Sequence, residues 1–83
     1  MLTHQELWAK TCKTYGTFIP PTTFRDWIKV CLLDIKGLYP EEESYWVLEL
    51  AKIARRYPKG SPRIKKQLHT NMREALNHDQ IDT

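Results

Sequence analysis

The stretch Pro20-Pro21-Thr22-Thr23-Phe24-Arg25-Asp26-Trp27-Ile28 constrains the fold of this chain more than any other. Its prolines suit the first turn of a helix, where a missing N–H forfeits no hydrogen bond. Beyond them the apolar residues are Phe24, Trp27, Ile28, Cys31 and Leu32. That is the i, i+3, i+4, i+7, i+8 spacing of an amphipathic helix, predicted here from about Pro21 to about Leu32. Thr23 and Asp26 stand at the spacing of a capping box. Two aromatics on one narrow stripe, each able to bury ~150–250 Å², make this the helix on which a core is organised.

The rest of the chain is read around it. Residues 3–15 predict a first helix with Leu7, Trp8, Cys12 and Tyr15 on its apolar side. Thr3 and Glu6 form a second capping-box pair, and Gly16 is a natural terminator. Phe18 and Ile19 are expected to pack under the second helix. After Leu32 the period changes. Leu33 and Ile35 alternate with Asp34 and Lys36, as in a half-buried strand over residues 32–38. A polar turn at 39–44 leads to a second predicted strand, 45–51, with Trp46, Leu48 and Leu50 on one face. The two are paired as an antiparallel hairpin. Ile53 to Tyr57 reads as a helical turn stopped by Pro58 and Gly60. Ser61-Pro62 opens a last helix to about residue 77, carried by Ile64, Leu68, Met72, Ala75 and Leu76, and 77–83 is expected to be a frayed tail. The predicted fold class is α+β. It is a single small domain over 1–83, in the order helix-helix-strand-strand-helix, with the helices packed on the hairpin.

Composition narrows the function classes. A chain of 83 residues holds one domain, and 41% apolar with 28% charged residues fits a folded unit. No apolar run approaches membrane-spanning length and the N-terminus lacks a signal-peptide pattern, so a cytoplasmic location is expected. Cys12 and Cys31 read as buried reduced thiols. His4, His69 and His78 have no partner at metal-ligand spacing, and no metal or cofactor is expected. Glu41-Glu42-Glu43 reads as a solvated acidic turn, and Ser44 and Ser61 as turn and cap residues. With no catalytic constellation, the chain is not expected to be an enzyme.

Charge is distributed unevenly. Residues 39–50 carry Glu41, Glu42, Glu43 and Glu49 without a base, whereas 52–66 carry seven bases without an acid. Those seven are Lys52, Arg55, Arg56, Lys59, Arg63, Lys65 and Lys66, and they surround Tyr57. Cations attract phosphates and an exposed tyrosine can stack a base, so these eight residues are the candidate nucleic-acid site, read as weak single-stranded DNA binding. A solvated basic face and an acidic protein partner are the competing readings. Of the three tryptophans, Trp8 is expected to be the one partly exposed, and exposed aromatics are favoured at binding hot spots.

Leu7-Trp8 followed by Pro20-x-Thr22-x-Phe24-x-x-Trp27-Ile28 resembles the N-terminal domain of the bacterial replication initiator DnaA, and Val47-Leu48-Glu49-Leu50 is similar to that domain's second strand. The resemblance implies a KH-like α+β unit whose role is assembly, through weak self-association and contact with the replicative helicase and regulators. Some members of the family also touch single-stranded DNA. It implies that Leu7 and Trp8 lie in a protein-interaction surface. Thr23 stands where some members carry an acidic residue used for helicase contact. No GxxxxGK[ST] phosphate loop is present. The expectation is a non-enzymatic DNA-replication protein that binds a partner such as a helicase, polymerase or initiator. The alternatives are a phage or mobile-element regulator that mimics the initiator domain, and a plain nucleic-acid-binding protein.

Overall fold

The first helix begins where its capping box places it. The Thr3 hydroxyl accepts from the Glu6 N–H at 3.1 Å, and the Thr3 N–H donates to the Glu6 carboxylate at 2.9 Å. The second bond holds the Glu6 carboxyl below the usual carboxylate range. Helix α1 (His4–Tyr15) ends at Gly16, whose φ of 98° is the left-handed conformation that glycine adopts without cost. The computed structural model describes residues 1–57 and 62–81, with side chains described up to residue 76. Among these, α1 is preceded by strand β1 (Leu2–Thr3) and followed by α2 (Pro21–Val30), β2 (Leu38–Tyr39), α3 (Glu41–Arg56) and α4 (Pro62–Ile81).

The architecture is therefore a small α+β unit of four helices and one two-stranded antiparallel pair among the described residues. β1 pairs with β2 in the register Leu2 to Tyr39 and Thr3 to Leu38. Helix α3 is central and packs against α1, α4 and α2. Its inward residues Val47, Leu50, Ala51, Ile53 and Ala54 join Leu7, Ile19, Phe24, Ile28, Cys31, Tyr39 and Leu68 in the buried core. No helix of the described residues is long and apolar enough to cross a membrane.

Several expectations are corrected. The predicted strand at 45–51 lies inside α3, and residues 41–44 of the predicted turn supply its first turn, while Tyr39 belongs to β2 and Pro40 is the N-cap. The run Tyr45 to Ala51 is apolar at six of its seven positions, so it matches a two-residue and a 3.6-residue period equally well. Length decides. Ser44, Val47, Leu50, Ala51 and Ala54 are all buried, which is helical spacing sustained over eleven residues. Glu41, Glu42 and Glu43 complement the positive N-terminal end of the helix and Arg55 and Arg56 the negative C-terminal end. The other predicted strand, 32–38, is a loop except for Leu38. The strand order becomes a pairing of the N-terminus with the segment before α3, in place of a local hairpin. Pro20 is the N-cap of α2, so Thr23 and Asp26 lie inside the helix and form no capping box. The last helix extends beyond 77 to Ile81, and its expected cap Ser61 lies outside the described residues.

A ribbon of two residues per strand is marginal alone and needs anchoring. Tyr39 anchors it. Its side chain is fully buried, and its hydroxyl accepts from the Lys36 N–H at 3.0 Å while reaching His4 Nδ1 at 2.9 Å. The His4 ring in turn meets Phe24 of α2 edge-on, with centroids 5.1 Å apart. Lys36 also approaches Glu43 Oε1 at 2.6 Å, an ion pair without good hydrogen-bond alignment that ties the loop to the start of α3.

Helix α2 stops in a Schellman arrangement. The Leu32 N–H bonds to Lys29 O at 2.9 Å and the Leu33 N–H to Ile28 O at 3.2 Å. Leu32 occupies the left-handed position, at φ 62°, that glycine normally fills. From α4, His69 Nε2 donates to the carbonyl of Val30 at 2.7 Å, satisfying an orphan group at the end of α2.

Candidate nucleic-acid interface

Helices α3 and α4 run antiparallel. Glu41, Glu42, Tyr45 and Trp46 share one cleft with Met72, Ala75 and Leu76, whereas Glu49, Lys52, Ile53 and Arg56 share another with Gln67 and Asn71. This topology converts the sequence's charge asymmetry into a spatial one. The C-terminal turn of α3 and the N-terminal turns of α4 form one end of the helical pair, with Lys52, Arg55, Arg56, Arg63, Lys65 and Lys66 all exposed there. The acidic first turn of α3 lies at the other end.

At the basic end the helices enclose an aromatic cleft of about 390 Å³. Tyr15 of α1, Phe18 and Ile19 of the link, Thr23 and Trp27 of α2, Ala54 of α3 and Ile64 of α4 line it. Its volume lies within the ~300–1,000 Å³ usual for ligand clefts. Tyr15 and Trp27 meet edge-to-face, with centroids 5.2 Å apart and planes at 87°. Phe18 is 66% exposed and is supported edge-on by Trp8 at 5.8 Å. A second depression continues from the first through Tyr15, Thr17 and Ala54 to Arg55 and Tyr57. The Arg55 guanidinium rests over Gly16, its Cζ 3.8 Å from where a β-carbon there would stand. One cation thus lies at the border of the aromatic surface. The start of α4, beside Ile64, contributes the positive end of a helix dipole.

The structure distributes the predicted residues unequally. Arg55 and Tyr57 border the aromatic surface. Lys52 and Arg56 turn instead to the groove between α3 and α4, where Lys52 pairs with Glu49 at 3.2 Å. Arg63, Lys65 and Lys66 are exposed on the first two turns of α4, and Lys59 lies outside the described residues. Of the predicted protein-interaction residues, Leu7 is fully buried in the core and Thr23 lines the aromatic cleft. Trp8 is half-buried, and its indole N–H donates to the Ile19 carbonyl at 2.8 Å. Trp8 therefore fixes the link that presents Phe18.

Three cleft residues were assigned to the core by sequence reasoning. Tyr15 and Trp27 stand on the apolar stripes and pack against the core as expected, but both are only partly buried and also line the cleft wall. Phe18 was expected to pack under α2, yet it points outward while Ile19 is buried. A signal for Phe18 exists in the sequence. A short link between a helix-ending glycine and two prolines is held extended, so adjacent side chains face opposite ways and only one of the pair can be buried.

Among the described residues no His, Cys, Asp or Glu cluster could hold a metal ion. Cys12 and Cys31 are free thiols, and burial pushes the Cys31 thiol up to about 12. Comparison with models of known protein families, with characterised proteins and with solved structures finds no match to this chain.

Proposed function

We propose that this chain is a small non-enzymatic interaction module of DNA replication, and that its basic end holds single-stranded DNA weakly. One observation carries the reading: cations and aromatic rings meet at the same end of the molecule. Arg55 lies at the border of a surface built from Tyr15, Phe18 and Trp27, and the basic first turns of α4 flank it. Phosphates on the cations and bases against the exposed ring of Phe18 would use both features together. The resemblance to the initiator's N-terminal domain supports the replication setting through Leu7 to Ile28, the helix-link-helix segment that bears Trp8, Phe18 and Trp27. A KH-like arrangement is retained in the proposal only as helices stacked beside a small antiparallel ribbon. The segment similar to the family's second strand belongs to α3 here.

The test is fluorescence anisotropy of a labelled single-stranded oligonucleotide at two salt concentrations, with wild type, Arg55→Glu and Phe18→Ala. Counterion release gives a slope of log K against log salt of about −0.7 per phosphate contact, so about four contacts lower affinity roughly fiftyfold for a fourfold rise in salt. Removing one stacking ring costs ~1–3 kcal/mol, about fivefold to a hundredfold in affinity for Phe18→Ala. Binding that ignores both salt and Arg55→Glu would overturn the reading.

A further inference from the structure

We infer that the opposite end of the α3–α4 pair is a docking groove for a basic amphipathic helix of a protein partner. The groove is open, with a volume of about 450 Å³, and lies between antiparallel helices. Its floor and walls are apolar: Tyr45 and Trp46 from α3, and Met72, Ala75 and Leu76 from α4. Tyr45 is 53% exposed and Leu76 is 64% exposed, so two large apolar side chains stand at the rim without cover from the described residues. The Tyr45 and Trp46 rings meet edge-to-face with centroids 5.0 Å apart, which gives the floor a fixed shape.

The rim supplies the choice of occupant. Glu41 and Glu42 line the same groove, and both are exposed. Glu43, their neighbour, is taken by Lys36, whereas neither Glu41 nor Glu42 has an ion-pair partner among the described residues. An apolar floor between two helices lying side by side accepts the apolar stripe of a third helix, read as anchors at i, i+3, i+4 and i+7. Two carboxylates at the edge favour a helix whose flanking residues are Lys or Arg, and they disfavour an acidic one. The inference is independent of what the basic end binds, because the two surfaces lie at opposite ends of the same helix pair.

The probe is a synthetic helix-forming peptide of Leu and Lys, with Leu at three- and four-residue spacing. Its control has Glu at every Lys position. The three tryptophans report separately in an NMR spectrum of the indole N–H groups. Trp46 lies in the groove, Trp27 in the aromatic cleft, and Trp8 is bonded to Ile19. The Lys peptide is expected to shift the Trp46 signal and leave Trp27 in place, while the Glu peptide shifts neither. Loss of two rim charges in Glu41→Gln/Glu42→Gln should weaken the Lys peptide about tenfold, because exposed ion pairs each contribute only modestly. Leu76→Ser, on the facing wall, should weaken it without altering Glu41 or Glu42. Both variants are at exposed positions, and circular dichroism checks their fold. Equal binding of the two peptides would overturn the inference, as would a shift confined to Trp27. A Trp46 shift that grows with protein concentration in the absence of peptide would also overturn it, since the occupant would then be a second copy of this chain.

Discussion

Tyr39→Phe is the most direct test of how the ribbon is held. The substitution removes one oxygen and leaves the fully buried ring in place, so it opens no cavity comparable to a lost side chain. Two hydrogen bonds disappear, at 3.0 Å to the Lys36 N–H and 2.9 Å to His4 Nδ1. Each is worth ~0.5–1.5 kcal/mol net, which gives a loss of ~1–3 kcal/mol. The upper part of that range needs the abandoned groups to stay dry, and both bonds are only partly buried, so about 1.5–2 kcal/mol is expected. At ~0.05–0.15 kcal/mol per residue, a chain of this length has on the order of 4–12 kcal/mol of stability. The substitution therefore removes a sizeable share, and Tm should fall by roughly 6–16 °C at ~4–8 °C per kcal/mol. Urea and thermal unfolding followed by circular dichroism would measure it. His4→Ala in the Tyr39→Phe background should cost less than His4→Ala alone, because the shared bond is already gone. A loss below about 0.5 kcal/mol, with additive single changes, would refute the three-way network.

Two further changes test local features. Leu32→Gly should stabilise the protein by up to about 1 kcal/mol, because a non-glycine residue in the left-handed region costs ~1–2 kcal/mol and glycine returns up to ~1 kcal/mol in chain entropy. Leu32 is 74% exposed, so little packing is lost, and a rise in the urea midpoint checks the expectation. In native protein at pH 8 a maleimide should modify Cys12 before Cys31, because Cys31 is fully buried and its thiol is pushed up to about 12. Equal labelling rates, read by mass spectrometry of the separated peptides, would contradict the burial of Cys31.

Helix boundaries were legible wherever a cap or a stop is written in a few adjacent residues. Thr3 with Glu6, Gly16, and Pro20-Pro21 each fix a local backbone conformation, and α1 and α2 follow closely. The strands were not legible. Tyr45 to Ala51 carries almost no polar residue to distinguish the two periods, and the decisive signal lay outside that window, in Glu41 to Glu43 and Arg55-Arg56. The ribbon joins Leu2–Thr3 to Leu38–Tyr39, and no local pattern announces a pairing across that separation. The candidate site shows the same division. Sequence located the basic residues, which depend only on composition, but not the aromatic cleft, whose walls come from every helix and the link.

The two proposed surfaces share the same pair of helices, and this limits which substitutions can separate them. Ala54 and Ile64 line the aromatic cleft, and Trp46 and Met72 line the acidic-rimmed groove, yet all four also pack on or within the core between α3 and its neighbours. A change at any of them alters stability as well as shape, and an effect on binding there would not identify a surface. The rims differ. Arg55 and Phe18 at one end, and Glu41, Glu42 and Leu76 at the other, are exposed, and their side chains contribute little to the core. Reversing charge at Arg55 should therefore leave the Trp46 response to a basic peptide intact, and neutralising Glu41 and Glu42 should leave oligonucleotide binding unchanged or slightly strengthened, since two repelling carboxylates are gone. A molecule in which both rim changes abolished both activities would have a single composite surface, which the antiparallel arrangement of α3 and α4 does not provide.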